Sequence, residues 1–183
     1  MIEFIPVVMV HDDLSRFKTE KFSSSRYSFR PYKSGDAELW SELQTTTDSF
    51  GQTEEALQYF DREFGGESAE LTNRCFFLET KDQKAIGTAM AWLGDGRFSQ
   101  EYGRLHWVAI HPDFRGKGLG KYLIKYTLYQ IAQIYPKAYL TTQTTSYPAI
   151  NIYLDFGFRP LIEGAESDRA WKLLKDVLHH PAL

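Results

Sequence analysis

The chain has 183 residues, a length that favours one domain with its own core and requires no metal or disulfide to hold it together. Hydrophobic residues make up 43% and charged residues 25%, which excludes a disordered tail protein. With 21 Lys and Arg against 24 Asp and Glu, the net charge of -3 leaves no cationic surplus for a run of phosphates, and extended nucleic-acid binding is excluded. The single cysteine, Cys75, lies in the apolar run Cys75-Phe76-Phe77-Leu78, so there is no disulfide framework and no CxxC metal spacing; this suits a reducing cytoplasm. Residues Ile5 to Val10 are apolar, but no basic region precedes them and His11-Asp12-Asp13 follows, which fits neither a signal peptide nor a membrane span. The expectation is a cytoplasmic protein without a membrane partner.

In chain order, Ile5 to Val10 reads as a strand, and Tyr27 to Tyr32 alternates in the period of a half-buried strand. Gly35 and Asp36 open a helix with Leu39, Trp40 and Leu43 as its buried stripe. Thr53-Glu54-Glu55 starts a second, with Ala56, Tyr59, Phe60 and Phe64 at helical spacing and Gly65-Gly66 as its end. Cys75 to Thr80 and Ala85 to Leu93 form a hairpin across a polar turn, and Leu105 to Ile110 is a further strand stopped by His111-Pro112-Asp113. A glycine-rich loop leads to a long helix carrying Ile124, Leu128, Ile131 and Tyr135, closed by Pro136. Then come a strand over Ala138 to Thr142, a short helix over Pro148 to Phe156 ending at Gly157, and two last strands over Phe158 to Ile162 and Ala170 to Leu174. This order implies an α/β fold, a mixed sheet with helices on both faces. Residues 1–26 read as an N-terminal extension packed on a domain spanning 27–183, and the extra strand is a candidate contact in a homodimer.

The most informative segment is Ile110-His111-Pro112-Asp113-Phe114-Arg115-Gly116-Lys117-Gly118-Leu119-Gly120-Lys121. Three glycines at alternate positions between a strand and a helix let backbone N–H groups converge at the positive helix end, which suits phosphate. Arg115, Lys117, Lys121 and Lys125 add local positive charge. Two phosphate motifs are excluded by spacing. A Walker loop needs a glycine where Arg115 stands and a Ser or Thr where Tyr122 stands; a dinucleotide fingerprint needs G-x-G-x-x-G, whereas Gly116, Gly118 and Gly120 form G-x-G-x-G.

The loop resembles that of the GNAT superfamily of acyl-CoA-dependent N-acetyltransferases, whose R/Q-x-x-G-x-G/A pattern is met by Arg115, Gly118 and Gly120. A second match, Ala149-Ile150-Asn151-Ile152-Tyr153-Leu154-Asp155-Phe156-Gly157-Phe158, is similar to the family's A-x-x-x-Y-x-x-x-G-F segment. The resemblance implies a mostly antiparallel central sheet in which one parallel strand pair splays apart. It implies acetyl-CoA as acyl donor, its pantetheine arm beside the backbone of Val108, Ala109 and Ile110, and its pyrophosphate on the amides of Gly116, Lys117, Gly118, Leu119, Gly120 and Lys121, beside Arg115. The acetyl group then passes to a primary amine, of a small molecule or of a protein or peptide, by direct attack in a ternary complex, with no metal. Tyr153 matches the tyrosine that donates a proton to the leaving sulfur; its other reading is a core aromatic in the stripe Ala149, Ile152, Tyr153, Phe156.

Two family positions depart from the pattern. Thr141 stands where many relatives carry a glutamate base, and Ser146 stands seven residues before the tyrosine where an asparagine is common, with Asn151 as the nearby amide for that contact. Leu105-His106-Trp107-Val108-Ala109-Ile110-His111 is similar to arylalkylamine acetyltransferases, in which a histidine at the place of His106 removes the amine proton through water. Strand alternation puts His106 on the face of Val108 and Ile110, and a hydrogen-bonded core histidine is the equal alternative. His179-His180 reads as a solvated tail, not a metal site. Asp48, Glu54, Glu55, Asp61, Glu63, Glu67 and Glu70 cluster around the early helices, where they either attract a cationic amine or form a solvated face. The rival to an enzyme is a catalytically weak acyl-CoA-binding regulatory module of the same fold.

Overall fold

Seven strands and six helices build the chain in a computed structural model that describes residues 2–47, 49–66 and 68–183, with Ser68 as backbone only. The strands are β1 (Pro6–His11), β2 (Tyr27–Pro31), β3 (Cys75–Thr80), β4 (Ala85–Trp92), β5 (Tyr102–Ile110), β6 (Lys137–Gln143) and β7 (Arg159–Leu161). The helices are α1 (Ala37–Thr45), α2 (Thr53–Phe64), α3 (Ser68–Arg74), α4 (Leu119–Ala132), α5 (Tyr147–Asp155) and α6 (Ala165–Leu178). All strands join one sheet in the order β2-β3-β4-β5-β6-β1-β7, antiparallel throughout except for the parallel pair β5–β6.

Alternation in the central strands divides two cores, because successive side chains leave a strand on opposite faces. Cys75, Phe77 and Met90 pack beneath Trp40, Leu43, Ala56, Phe60 and Phe64 of α1 and α2. On the other face Leu105, Leu140 and Met9 pack beneath Ile124, Leu128 and Ile131 of α4, Ile150 and Leu154 of α5, and Trp171 and Leu174 of α6. Among the described residues, no helix is long and apolar enough to cross a membrane.

Three features correct the sequence reading. Ala170 to Leu174, expected as a strand, lies inside α6: Ala170, Trp171 and Leu174 fall on one helical face, and Glu166 and Asp168 occupy the first turn. The Ser167 hydroxyl accepts the Glu163 and Gly164 N–H groups at 2.9 and 3.2 Å, which starts the helix. β1, read as part of an extension, lies inside the sheet, with six residues against β6 and three, Val8 to Val10, against β7. Finally, β5 begins at Tyr102, three residues before the expected Leu105. Gly103 obscured that start; a Cβ there would lie 2.6 Å from Tyr135 and 2.7 Å from Ile131, so only glycine lets α4 and the segment after it approach the strand.

Candidate active site

Tyr102, Gly103 and Arg104 of β5 pair with Lys137, Ala138 and Tyr139 of β6, and there the parallel ladder stops. Beyond it β5 runs on to Ile110 and β6 to Gln143 without pairing, while β6 stays bound to β1 along its other edge. The two strands thus enclose a wedge with free backbone edges on both sides. A bulge in β5 accompanies the opening: Met90 faces His106 and Thr88 faces Ala109, so Ala89 alone spans Trp107 and Val108. Trp107 takes a φ of +48°, a region costly for a bulky side chain. Its carbonyl receives the side-chain N–H of the buried Gln44 at 2.8 Å, and its ring stacks on Phe50 with centroids 5.4 Å apart. Trp40 and Tyr59 meet the same ring edge-on, at 5.4 and 5.2 Å.

At the open end of the wedge stands the glycine-rich turn. Gly116 and Gly118 take φ values of +73° and +77°, and no atom lies within 4 Å of where a Cβ would project from either. Gly118 leads into α4, whose first backbone bond runs from the Tyr122 N–H to the Gly118 carbonyl at 3.2 Å. The N–H groups of Leu119, Gly120 and Lys121 therefore precede the intrahelical ladder and face outward at the positive helix end. This backbone fits an anionic group such as a diphosphate. The neighbouring cations are otherwise engaged: Arg115 donates to the carbonyls of Ile110 and Thr46 at 3.0 and 2.6 Å, Lys117 to that of Asp113 at 2.8 Å, Lys121 pairs with Asp155 at 2.7 Å, and Lys125 with Glu20 at 2.6 Å. Arg115 thereby ties the end of β5 to the end of α1.

Behind the wedge lies a cleft of ≈ 490 Å³, lined by His106, Trp107 and Val108 of β5, Thr141 and Gln143 of β6, Tyr59 of α2, and Ser146, Ala149 and Tyr153. His106 and Tyr153, 47 residues apart in sequence, thus border one space. The bulge corrects the expected facing of His106. One extra residue inverts the alternation, so Val108 packs against the α4 core, and Ile110 with it, whereas His106 sits beside Phe64 of α2 with ring centroids 6.4 Å apart. Burial, and then the Arg104 charge, hold the His106 imidazole well below its ordinary range, so it is neutral at neutral pH. Tyr153 is 7% exposed, and burial pushes its hydroxyl far above the ordinary tyrosine range, so it keeps its proton.

Ser146 borders the cleft and its hydroxyl accepts the Gln143 amide at 2.9 Å, while Asn151 on α5 is half-buried away from the cleft lining. Glu54, Glu55, Asp61, Glu63 and Glu70 stand outside the lining as well; Glu55 accepts the Gly51 N–H and Glu70 pairs with Arg74. Asp48 and Glu67 lie outside the described residues. Two residues that the sequence reading passed over belong to the site: Gln44, which holds the bulge, and Arg104, which enters the cleft beside His106. Neither carries a local signal, since Gln44 resembles any polar helix residue and Arg104 any charged strand residue.

The site is thus a wedge between parallel strands, with the glycine-rich helix start at its open end and a cleft bordered by a protonated tyrosine and a neutral imidazole behind it. The chain belongs to the GNAT acetyltransferase family, whose model matches residues 37–158, from α1 through α5. The fold is similar to a GCN5-related N-acetyltransferase from Sphaerobacter thermophilus (TM-score 0.65, 15% identity, 86% of this chain and 49% of that one). It is similar also to a GNAT-family acetyltransferase from Colwellia psychrerythraea (0.62, 14%, 86% and 53%) and to a GCN5-related N-acetyltransferase from Kribbella flavida (0.57, 16%, 87% and 55%). The chain therefore spans about half the length of these solved structures. No curated protein matches it in sequence. The family and fold are those of acyl transfer.

Proposed function

We propose that the protein is an N-acetyltransferase that moves an acetyl group from acetyl-CoA to a primary amine by direct attack within a ternary complex. The carrying observation is the parting of β5 and β6 beyond Arg104 and Tyr139, which leaves free strand edges between the glycine-rich start of α4 and the cleft of His106 and Tyr153. The acyl donor supplies an activated acetyl group; the rest falls to this chain. Backbone N–H groups from Gly116 to Lys121 hold the diphosphate, and the β5 edge from Val108 to Ile110, whose Ile110 carbonyl already accepts from Arg115, pairs with the pantetheine amides as a strand would. Held at both ends, the thioester lies in the wedge while the amine enters from the α1–α2 face, and orientation alone then accounts for much of the rate.

Two protons must move. The neutral His106 ring takes one from the incoming amine, directly or through water, and the protonated Tyr153 hydroxyl gives one to the departing sulfur. Thr141 leaves no carboxylate base on β6, which makes His106 the base of this reading. Arg115, Lys117 and Lys121 support the turn through the contacts described above, Ser146 borders the donor side, and Asn151 contributes through α5. Acetyl-CoA turnover against an amine panel, run beside a melting-temperature titration with acetyl-CoA, tests the proposal. A raised melting temperature with acetylated product supports it. A raised melting temperature with no product on any amine makes the protein a binding module instead, and a flat titration to millimolar acetyl-CoA removes the donor assignment.

A further inference from the structure

We infer that the acceptor amine carries a carboxylate and that Arg104 receives it, an inference that rests on the acyl-transfer reading above. Arg104 precedes His106 by two residues, and its backbone partner is Trp92 where that of His106 is Met90, so both side chains leave β5 on the α1–α2 face, roughly 7 Å apart along the strand. Its side chain is only 17% exposed. A guanidinium carries five N–H donors, yet among the described residues Arg104 makes one hydrogen bond, to the Thr141 hydroxyl at 2.9 Å. The Asp95 carboxylate forms an ion pair with Nη1 at 3.7 Å, too long for a hydrogen bond, the guanidinium lies 5.8 Å over the Tyr139 ring, and among the described residues the buried Arg104 Nε has no hydrogen-bond partner. A cation withdrawn from water with most of its donors idle is costly, and a carboxylate meeting the guanidinium fork relieves that cost.

The cleft reinforces the choice. Among the described residues that line it, Arg104 is the only charged side chain; Thr142, Gln143, Thr47 and Ser49 add neutral polar groups. A simple cationic amine meets like charge here. An amino acid places its carboxylate on Arg104 and its amine within reach of His106, two groups of one small molecule matched to two residues spaced i and i+2 on a strand. Specificity arises because an acceptor without the carboxylate leaves Nη donors of the largely buried guanidinium without a hydrogen-bond acceptor.

The test measures initial rates at saturating acetyl-CoA for a panel of α-amino acids, each beside its primary amide and its decarboxylated amine. The expected result is a kcat/KM at least about tenfold higher for the free carboxylate, equivalent to about 1.4 kcal/mol. In Arg104→Gln that ratio collapses toward one, and in Arg104→Lys, which keeps the charge but loses the fork, part of it returns. Retention of the acetyl-CoA melting shift in each variant reports an intact donor site, and the ratio in the wild-type protein stands independently of either variant. Equal rates for carboxylate and amide, or a ratio unchanged in Arg104→Gln, overturns the carboxylate assignment and leaves acyl transfer standing. No turnover of any amino acid by a protein that binds acetyl-CoA and acetylates other amines also overturns it. Loss of all turnover together with a flat acetyl-CoA titration overturns the acyl-transfer reading itself.

Discussion

The Gln44 side-chain amide donates to the Trp107 carbonyl across 2.8 Å, joining the end of α1 to the bulge that turns β5 away from β6. Gln44 is buried and Trp107 half-buried, so the bond carries a penalty when only one partner is removed. Gln44→Leu keeps much of the volume and leaves the carbonyl unpaired. The expected loss is about 1–3 kcal/mol, or about 2–4 °C in Tm for each of them in a chain of this size. Calorimetry reads the stability, and the acetyl-CoA dissociation constant reads whether the wedge has moved; an unchanged Tm would show that the bulge holds itself.

Gly118→Val places a branched side chain at a φ of +77°. The strain and the Cβ both act at the glycine-rich turn proposed to hold the diphosphate, where the native space is open. With the donor bound as proposed, acetyl-CoA at about 100 times its dissociation constant is expected to stabilise the wild-type protein by about 2.7 kcal/mol, and this variant to lose that gain. The check is the difference in Tm with and without ligand, because the strain alone shifts both values together. A full ligand shift in Gly118→Val would move the diphosphate to another site.

Tyr153→Phe removes one buried oxygen and its proton while the ring stays against Phe158, 6.0 Å away between centroids. Binding of acetyl-CoA persists, and kcat falls by about 10²–10⁴-fold when chemistry limits the rate. Single-turnover measurements separate this step from product release. A kcat equal to that of the wild-type protein assigns Tyr153 to packing.

Both His11 and His106 are held below the ordinary histidine pKa, His106 by burial and then by Arg104, His11 by burial against the opposing pull of the Phe156 carbonyl. As pH falls through about 6.5 the unfolded chain takes up protons that the folded chain refuses, so stability is level above that pH and declines below it until the folded pKa values are reached. Tm recorded from pH 8 to 5 shows that decline, and His106→Gln or His11→Gln flattens it. On the proposed mechanism, His106 also leaves a mark on catalysis. The kcat/KM profile has its acid limb below about 6.5, and His106→Gln erases the limb and slows the reaction at neutral pH. A limb that survives in His106→Gln belongs to another group, and His106 is then a packing residue.

Local pattern carried the elements whose signals are local. The apolar run opening Cys75 to Thr80, the stripe Ala56, Phe60, Phe64, and the three glycines before α4 each follow from composition, period or backbone freedom, and each stands where its residues indicate. The motif residues from Arg115 to Lys121 and the segment from Ala149 to Phe158 likewise pointed to the family that the chain belongs to. What local pattern lacks is partner choice. Residues 170–174 form an apolar-rich run that read as a last strand, but the slot between β6 and β7 is filled by β1 from the other end of the chain, and the final segment coils into α6 over that sheet. The facing of His106 was decided by one extra residue at Trp107, which the Trp40, Phe50 and Tyr59 rings and the Gln44 amide hold in a conformation no single-strand period contains. Arg104 became a site residue only when the ladder between β5 and β6 ended beside it, because sequence supplies the donors of a side chain and the fold decides which of them are left without acceptors.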